Sequence, residues 1–330
     1  MGMETGLGLA ELRTGAEAVY RHIPPTPQYA WPLLSARAGC EVWVKHENHT
    51  PIGAFKLRGG LVYMDALRRD RPEVTGVIAA TRGNHGQSIA YAARRAGLAC
   101  VLAIPHGNSV EKNAAMEAWG AELVVEGHDF QAALEYARER AAGEGLTFVE
   151  SFHPLLVKGV ASYSLELLEA VEDLDAVYVP IGLGSGICGM IAARDALARK
   201  TEVIGVCSTQ ASCYALSFAQ GRPVSTDSAD TLADGMACRV PVAEAVAAIN
   251  AGAARVVTVS EEELKAAMRA LYQDTHNMAE GAGAAATAAL LQERERMAGK
   301  KVGVILSGGN MDIDRYRAIL AEEGQEANVV

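Results

Sequence analysis

The segment Ala176-Val-Tyr-Val-Pro-Ile-Gly-Leu-Gly-Ser-Gly-Ile-Cys-Gly189 runs a short apolar stretch into a glycine-rich turn and on into a helical pattern. A nearly continuous apolar run of this kind reads as a strand buried on both faces, the habit of parallel sheets. The alternation recurs along the chain. Further strand candidates are Glu41–Lys45, Gly76–Ala80, Ala99–Pro105, Glu122–Glu126, Thr147–Glu150, Val203–Cys207, Arg255–Val259 and Lys301–Leu306. Helical patterns lie between them, among them Val110–Trp119, Phe130–Ala142 and Leu155–Ala170, and Ser260 followed by Glu263 is a capping box opening a helix through Tyr272. Repeated strand–helix units define an α/β protein with parallel-rich sheets flanked by helices.

The chain has 330 residues, long enough for about two domains. Half of its residues are hydrophobic and 21% are charged, a balance that suits a globular protein with a sizeable core. A net charge of −10 argues against general affinity for nucleic acid or anionic membrane. The Ala-rich stretch Gly281–Leu291 is too short to span a bilayer and reads as a buried helix. Residues 1–6 show no basic region leading into an apolar core, so no signal peptide is expected. Six scattered cysteines without Cys-x-x-Cys spacing read as buried thiols of a cytoplasmic protein, and no structural zinc is expected.

Four segments carry chemistry. In Thr50-Pro-Ile-Gly-Ala-Phe-Lys-Leu-Arg-Gly-Gly60, Ile52, Phe55 and Leu57 crowd the Lys56 amine. Apolar surroundings lower a lysine pKa and make it a nucleophile able to form a Schiff base. Thr81-Arg-Gly-Asn-His-Gly-Gln-Ser88 joins a strand end to a helix start, where free amides and the helix dipole suit a carboxylate. Asn84 can hydrogen-bond a phenolic oxygen on a ring beside it. The turn Gly182-Leu-Gly-Ser-Gly186 is a nest for a phosphate. Gly184-x-Gly186-x-x-Gly189 also fits a dinucleotide fingerprint, which keeps an NAD(P)-dependent oxidoreductase open as an alternative. That fingerprint expects an acid at the end of the next strand, however, and this strand ends in Cys207 and Ser208, with Glu202 at its wrong end. Ser307-Gly-Gly-Asn310 follows the last strand, and a serine hydroxyl there can meet a pyridine nitrogen as a neutral partner.

Together with Pro24-Pro-Thr-Pro27 and Thr231-Leu-Ala-Asp-Gly235, these segments resemble, in order and over most of the chain, the serine/threonine dehydratase group of fold-type II pyridoxal-phosphate enzymes, which includes serine racemase. The resemblance implies a tryptophan synthase β-like fold, with residues 1–66 and 151–330 as the large cofactor domain and 67–150 as a small mobile domain inserted into it. A boundary near His153 is the linear alternative. It implies that Lys56 carries the cofactor and later takes the substrate Cα proton. Phe55 packs near the pyridine ring, Asn84 bonds its 3-hydroxyl, and Glu280 lies near the ring. Gly182, Leu183, Gly184, Ser185 and Gly186 cradle the phosphate, Gly235 belongs to the same cofactor site, and Ser307 meets the ring nitrogen. Thr81, Arg82, Gly83, Asn84 and His85 hold the substrate carboxylate. The implied reaction is phosphate-assisted loss of a β-hydroxyl from a β-hydroxy-α-amino acid, giving a 2-oxo acid and ammonia, by a cytoplasmic homodimer.

Departures from the family pattern narrow this reading. Arg82 stands where racemases commonly place the serine that serves as second base, and a guanidinium cannot accept a proton. Lyase activity without efficient racemisation is therefore expected, and Arg82 could pair with a second substrate carboxylate, as in 3-hydroxyaspartate. Threonine, serine and phenylserine remain candidate substrates, and a threonine synthase-like reaction is a further alternative within the fold. Cys207 and Cys213 replace hard oxygen ligands of cation-binding relatives, so no metal is expected at that place. The family's Gly-Gln-Gly-Thr reads Gly159-Val-Ala-Ser162 here, and with only a short stretch after Ser307 no C-terminal regulatory domain is expected.

Overall fold

The structure is a computed structural model that describes residues 7–322. The expectation about an export signal concerns residues 1–6 and lies outside the described residues. In chain order the strands are β1 (Gln28–Ala30), β2 (Glu41–His46), β3 (Gly76–Ala80), β4 (Ala99–Ile104), β5 (Glu122–Val125), β6 (Thr147–Phe148), β7 (Ala176–Pro180), β8 (Glu202–Ser208), β9 (Arg255–Val259) and β10 (Lys301–Leu306). They form a six-stranded sheet in the order β1-β2-β10-β7-β8-β9 and a four-stranded sheet in the order β5-β4-β3-β6. Every pairing is parallel except β1 with β2. Parallel neighbours need crossovers, and helices supply them, so both sheets are covered and their strand ends are free to build loops.

β3 and β7 are buried at every residue, as their apolar runs require. β5 and β9 depart from that expectation and are largely half-exposed, because each forms a sheet edge with a partner on one side only. β1 escaped the sequence reading. Its three residues carry no alternation of their own and pair because Pro27 and the antiparallel return beside β2 place them there. The helix opened by the Ser260–Glu263 capping box runs Glu261–Thr275, past Tyr272.

Small residues set how closely the layers approach. The helix Gly281–Gln292 is buried from Gly281 through Leu290, and a Cβ on Gly283 would lie 2.1 Å from the Gly308 carbonyl oxygen. A Cβ on Gly159 would meet the Arg58 carbonyl oxygen at 2.3 Å, so the helices Lys56–Asp70 and Pro154–Ala170 touch through backbone. All six cysteines are buried and unpaired.

Candidate active site

The four chemical segments all follow strand ends, and the fold brings them together. The Phe55 amide donates to the Ser307 carbonyl (3.0 Å), Gly309 to Gly53 (3.0 Å), and Glu280 to Gly308 (3.1 Å). Asn310 Nδ2 ties Ile52 O to Asn84 Oδ1, both at 2.8 Å. Gly53 sits at φ 67°, and a Cβ there would lie 2.7 Å from Asn310 Oδ1, so the turn before the lysine needs glycine for conformation and for space.

Lys56 opens the helix Lys56–Asp70 and points its amine into a cavity of about 620 Å³. The amine lies 5.3 Å from the Phe55 ring centroid and has no hydrogen-bond partner among the described residues. Burial lowers its pKa to about 8, against the opposing pull of Glu280. Thr81, Arg82, Gly83, Asn84, His85, Gly182, Leu183 and Gly235 line the same cavity. Phe55, Gly184, Ser185, Gly186 and Ser307 do not line it, and Glu280 lines a smaller cavity of about 390 Å³ that shares Arg82, Gly107, Lys112, Asp234 and Arg315 with it.

The loop after β3 is held open by one side chain. Thr81 Oγ1 accepts the Gly83 and Gly86 amides at 2.9 Å each, so Thr81 shapes the turn. The Asn84 and His85 amides in the first turn of the helix Asn84–Arg95 then have no partner among the described residues. Asn84 Nδ2 donates to Glu280 Oε1 at 2.6 Å. His85 is neutral: burial lowers its pKa to about 3, helped by the charge of Lys56, and its Nε2 has no partner. After β7, none of the amides from Gly182 through Gly186 has a partner among the described residues. The helix Ser185–Ala196 begins inside this turn and adds its dipole. Gly184 takes φ 100°, and a Cβ on Gly182 would stand 2.2 Å from Gly235 O, so two of the glycines are required by shape. Ser307 Oγ donates to Ala282 O at 3.2 Å.

Three functional side chains escaped the sequence reading. Lys112, in the helix Val110–Ala118 of the four-stranded layer, reaches Asp234 Oδ2 (3.2 Å) and Glu280 Oε2 (3.3 Å) in the other layer. Burial lowers its pKa, but the two carboxylates outweigh this and the net shift is upward. Burial raises Glu280 despite Lys112. Glu111-Lys112 looks like any solvated helix face, and its spacing gives no hint of a partner 168 residues away. Asn310, at the end of the Ser307–Asn310 turn, ties the lysine loop to Asn84. The acid missing from the end of β8 is also present in space: Glu261 accepts from Ser208 Oγ (2.8 Å), Thr231 Oγ1 (2.7 Å) and the Leu232 amide (2.7 Å). Its carboxylate is spent on that loop and holds no ribose. Cys207 and Cys213 are packed in the apolar core beside it.

A glycine turn of unspent amides that meets the cavity at Gly182 and Leu183, beside a partly deprotonated lysine, suits an enzyme that attaches a phosphorylated aldehyde to an amine. The cavity is roomy enough for such a group and a small substrate. A sequence model of the pyridoxal-phosphate dependent enzymes matches residues 19–308, and the chain belongs to that family. Its cofactor is pyridoxal phosphate, and the free amides at Gly182–Gly186 together with Lys56 fit it. Among similar proteins, the biosynthetic L-threonine dehydratase of Haemophilus influenzae is 30% identical, over 91% of this chain and 59% of its own. The L-threo-3-hydroxyaspartate ammonia-lyase of Saccharomyces cerevisiae is 30% identical, over 92% of this chain and 93% of its own. The solved structure of threonine deaminase isoform 2 from Solanum lycopersicum superposes with a TM-score of 0.88 at 29% identity, covering 97% of this chain and 96% of that one. The chain spans 59% and 52% of the length of the biosynthetic threonine dehydratases of H. influenzae and S. lycopersicum, two of those it matches. Among the described residues no helix is long and apolar enough to cross a membrane.

Proposed function

We propose that this chain is an ammonia-lyase that removes water from a β-hydroxy-α-amino acid and releases a 2-oxo acid and ammonia. The observation that carries the reading is the shared cavity of Lys56, held near neutrality, and the two free amides at Asn84 and His85. When bound, pyridoxal phosphate supplies the aldehyde that the amine attacks and the electron sink for the pair left at Cα. The amides of Gly182–Gly186 would take its phosphate, and Phe55 and Asn84 would lie beside its ring. The substrate carboxylate sits on the Asn84 and His85 amides, which fixes the Cα–H bond toward Lys56. Once the substrate amine has displaced Lys56 from the aldehyde, Nζ would be free to take that proton; the Cβ–O bond breaks, and the hydroxyl takes the proton back from the Lys56 ammonium and leaves as water. The released enamine tautomerises and takes up water, giving the 2-oxo acid and ammonia. Relatives named for threonine and for 3-hydroxyaspartate support the β-hydroxy class. The same reading includes residues 67–150 as an inserted lobe, linked to the rest through Lys112, and a cytoplasmic homodimer.

The test is release of 2-oxo acid and ammonia from L- and D-serine, threonine, the 3-hydroxyaspartates and phenylserine. The proposal fails if the cofactor-loaded protein deaminates none of them. Because Arg82 cannot act as a base on the second face of Cα, ammonia appears faster than optical purity is lost. A polarimetric assay showing the reverse order removes that part of the mechanism.

The phosphate cradle has its own check. Alanine at Gly182 drives a methyl into the Gly235 carbonyl, so the turn must open. The Gly182→Ala apoprotein is expected to bind pyridoxal phosphate about ten-fold or more weakly, on the scale of one lost charge-assisted hydrogen bond. Fluorescence titration measures this, and unchanged affinity rules the turn out as the phosphate site.

A further inference from the structure

Arg82 lines the cavity beside Lys56 and has no anionic partner among the described residues. Its Nε is buried without a hydrogen-bond partner, and no ion pair holds it among the described residues. Three carboxylates that line the two cavities are engaged elsewhere, Asp234 and Glu280 with Lys112 and Asp129 with Arg239 at 3.3 Å, and Asp227 and Asp230, which also line the larger one, make no ion pair with Arg82. Arg82 lines both the larger cavity that contains Lys56 and the smaller one beside it. A guanidinium keeps its charge at any pH the protein meets, so it cannot lower the cost of partial burial by losing a proton as a lysine would. An anion from outside the chain would offset that cost.

The α-carboxylate of a substrate does not need Arg82. It has the Asn84 and His85 amides at the start of the helix Asn84–Arg95, two unspent donors carrying the helix dipole. We infer that Arg82 binds a second carboxylate, on the substrate side chain, so that the preferred substrate is a β-hydroxy dicarboxylic amino acid of the 3-hydroxyaspartate type. This rests on the ammonia-lyase reading above and sharpens its substrate. The planar fork of arginine can hold a carboxylate through two hydrogen bonds, which a threonine methyl or a phenylserine ring cannot accept.

Binding separates this inference from turnover. Aspartate and asparagine have nearly the same shape, differ by one charge, and carry no β-hydroxyl to lose. In calorimetric titrations of the cofactor-loaded enzyme, aspartate is expected to bind about ten- to hundred-fold more tightly than asparagine, the range of one charge-assisted bond. Arg82→Gln is expected to erase that ratio and leave asparagine binding unchanged, and Arg82→Lys to restore part of it. In the assay, kcat/KM for a 3-hydroxyaspartate exceeds that for threonine, and Arg82→Gln reverses the order. Equal binding of aspartate and asparagine overturns the inference. So does an Arg82→Gln protein that loses affinity for both equally, since Arg82 would then serve the α-carboxylate. A protein that discriminates aspartate through Arg82 but deaminates nothing upholds the anion site and sinks the lyase reading instead.

Discussion

Lys56→Ala is expected to lower turnover by at least about 10³-fold, the scale on which a positioned base contributes, while the fold persists. The residue opens its helix and has no hydrogen bond to lose at the amine, so truncation costs little packing. Borohydride treatment of the native enzyme adds mass at Lys56 and bleaches its absorbance, whereas the alanine protein gains no mass. The pH dependence follows from the lowered pKa. Burial disfavours the charged amine more than Glu280 favours it, leaving a value of about 8. Below that pH only a fraction of the amine is free, and each unit upward raises the fraction about ten-fold; above it the fraction saturates. Attachment of pyridoxal phosphate to the apoprotein, followed by absorbance, should climb between pH 6 and 8 and level off beyond. Full turnover by Lys56→Ala, or attachment that keeps accelerating to pH 10, contradicts this account.

The parts of the molecule legible in sequence are those decided locally. β3, β7 and β10 announce themselves because burial on two faces demands unbroken apolar runs. The turns after β3 and β7 are legible because they demand glycine, at Gly83 for its φ of 154° and at Gly182 for the close approach of the Gly235 backbone. What remained hidden depends on partners far along the chain. Lys112 and Glu280 meet across the two layers, and Glu261 supplies a carboxylate to the end of a strand it does not belong to. Gly159 and Ser162 looked like a loss of pattern, yet Gly159 admits the Arg58 backbone and Ser162 Oγ accepts from Arg58 Nη1 at 2.9 Å. Ser307 was read as a ring-nitrogen partner from its place after a strand. Which way its hydroxyl turns, here onto Ala282 O, is decided by the helix packed above it.

Arg58→Met should destabilise the protein by about 3–5 kcal/mol, the cost of unpairing a buried charge network. Arg58 is fully buried two residues beyond Lys56. Its guanidinium grips Glu47 through Nε (2.7 Å) and Nη2 (2.9 Å), and Glu166 through Nη1 (2.5 Å) and Nη2 (2.9 Å). Lys45 Nζ completes the set on Glu166 Oε2 (2.5 Å) and Thr26 O (2.6 Å), so two cations balance two carboxylates. Methionine fills much of the volume but leaves both carboxylates facing one ammonium. Adding Glu47→Gln returns the site to a neutral Lys45–Glu166 pair and should recover part of the loss, a non-additivity that unfolding measurements on the single and double variants will read. The pH dependence distinguishes charge from packing. In the native protein burial pushes the Glu166 carboxyl up, but Arg58 and Lys45 more than offset this and hold it below its ordinary value. Its stabilising contribution is therefore complete above the usual carboxylate range and is lost as pH falls through the lowered folded value. Without Arg58, the Glu166 carboxyl loses the larger of the two cations that hold it down, and burial pushes it up so that it protonates more readily at mild acidity. The deficit of Arg58→Met relative to the native protein should thus be largest near pH 7 and shrink toward pH 4.5. A deficit of the same size at both pH values would mean that shape, not charge, makes Arg58 necessary beneath the lysine.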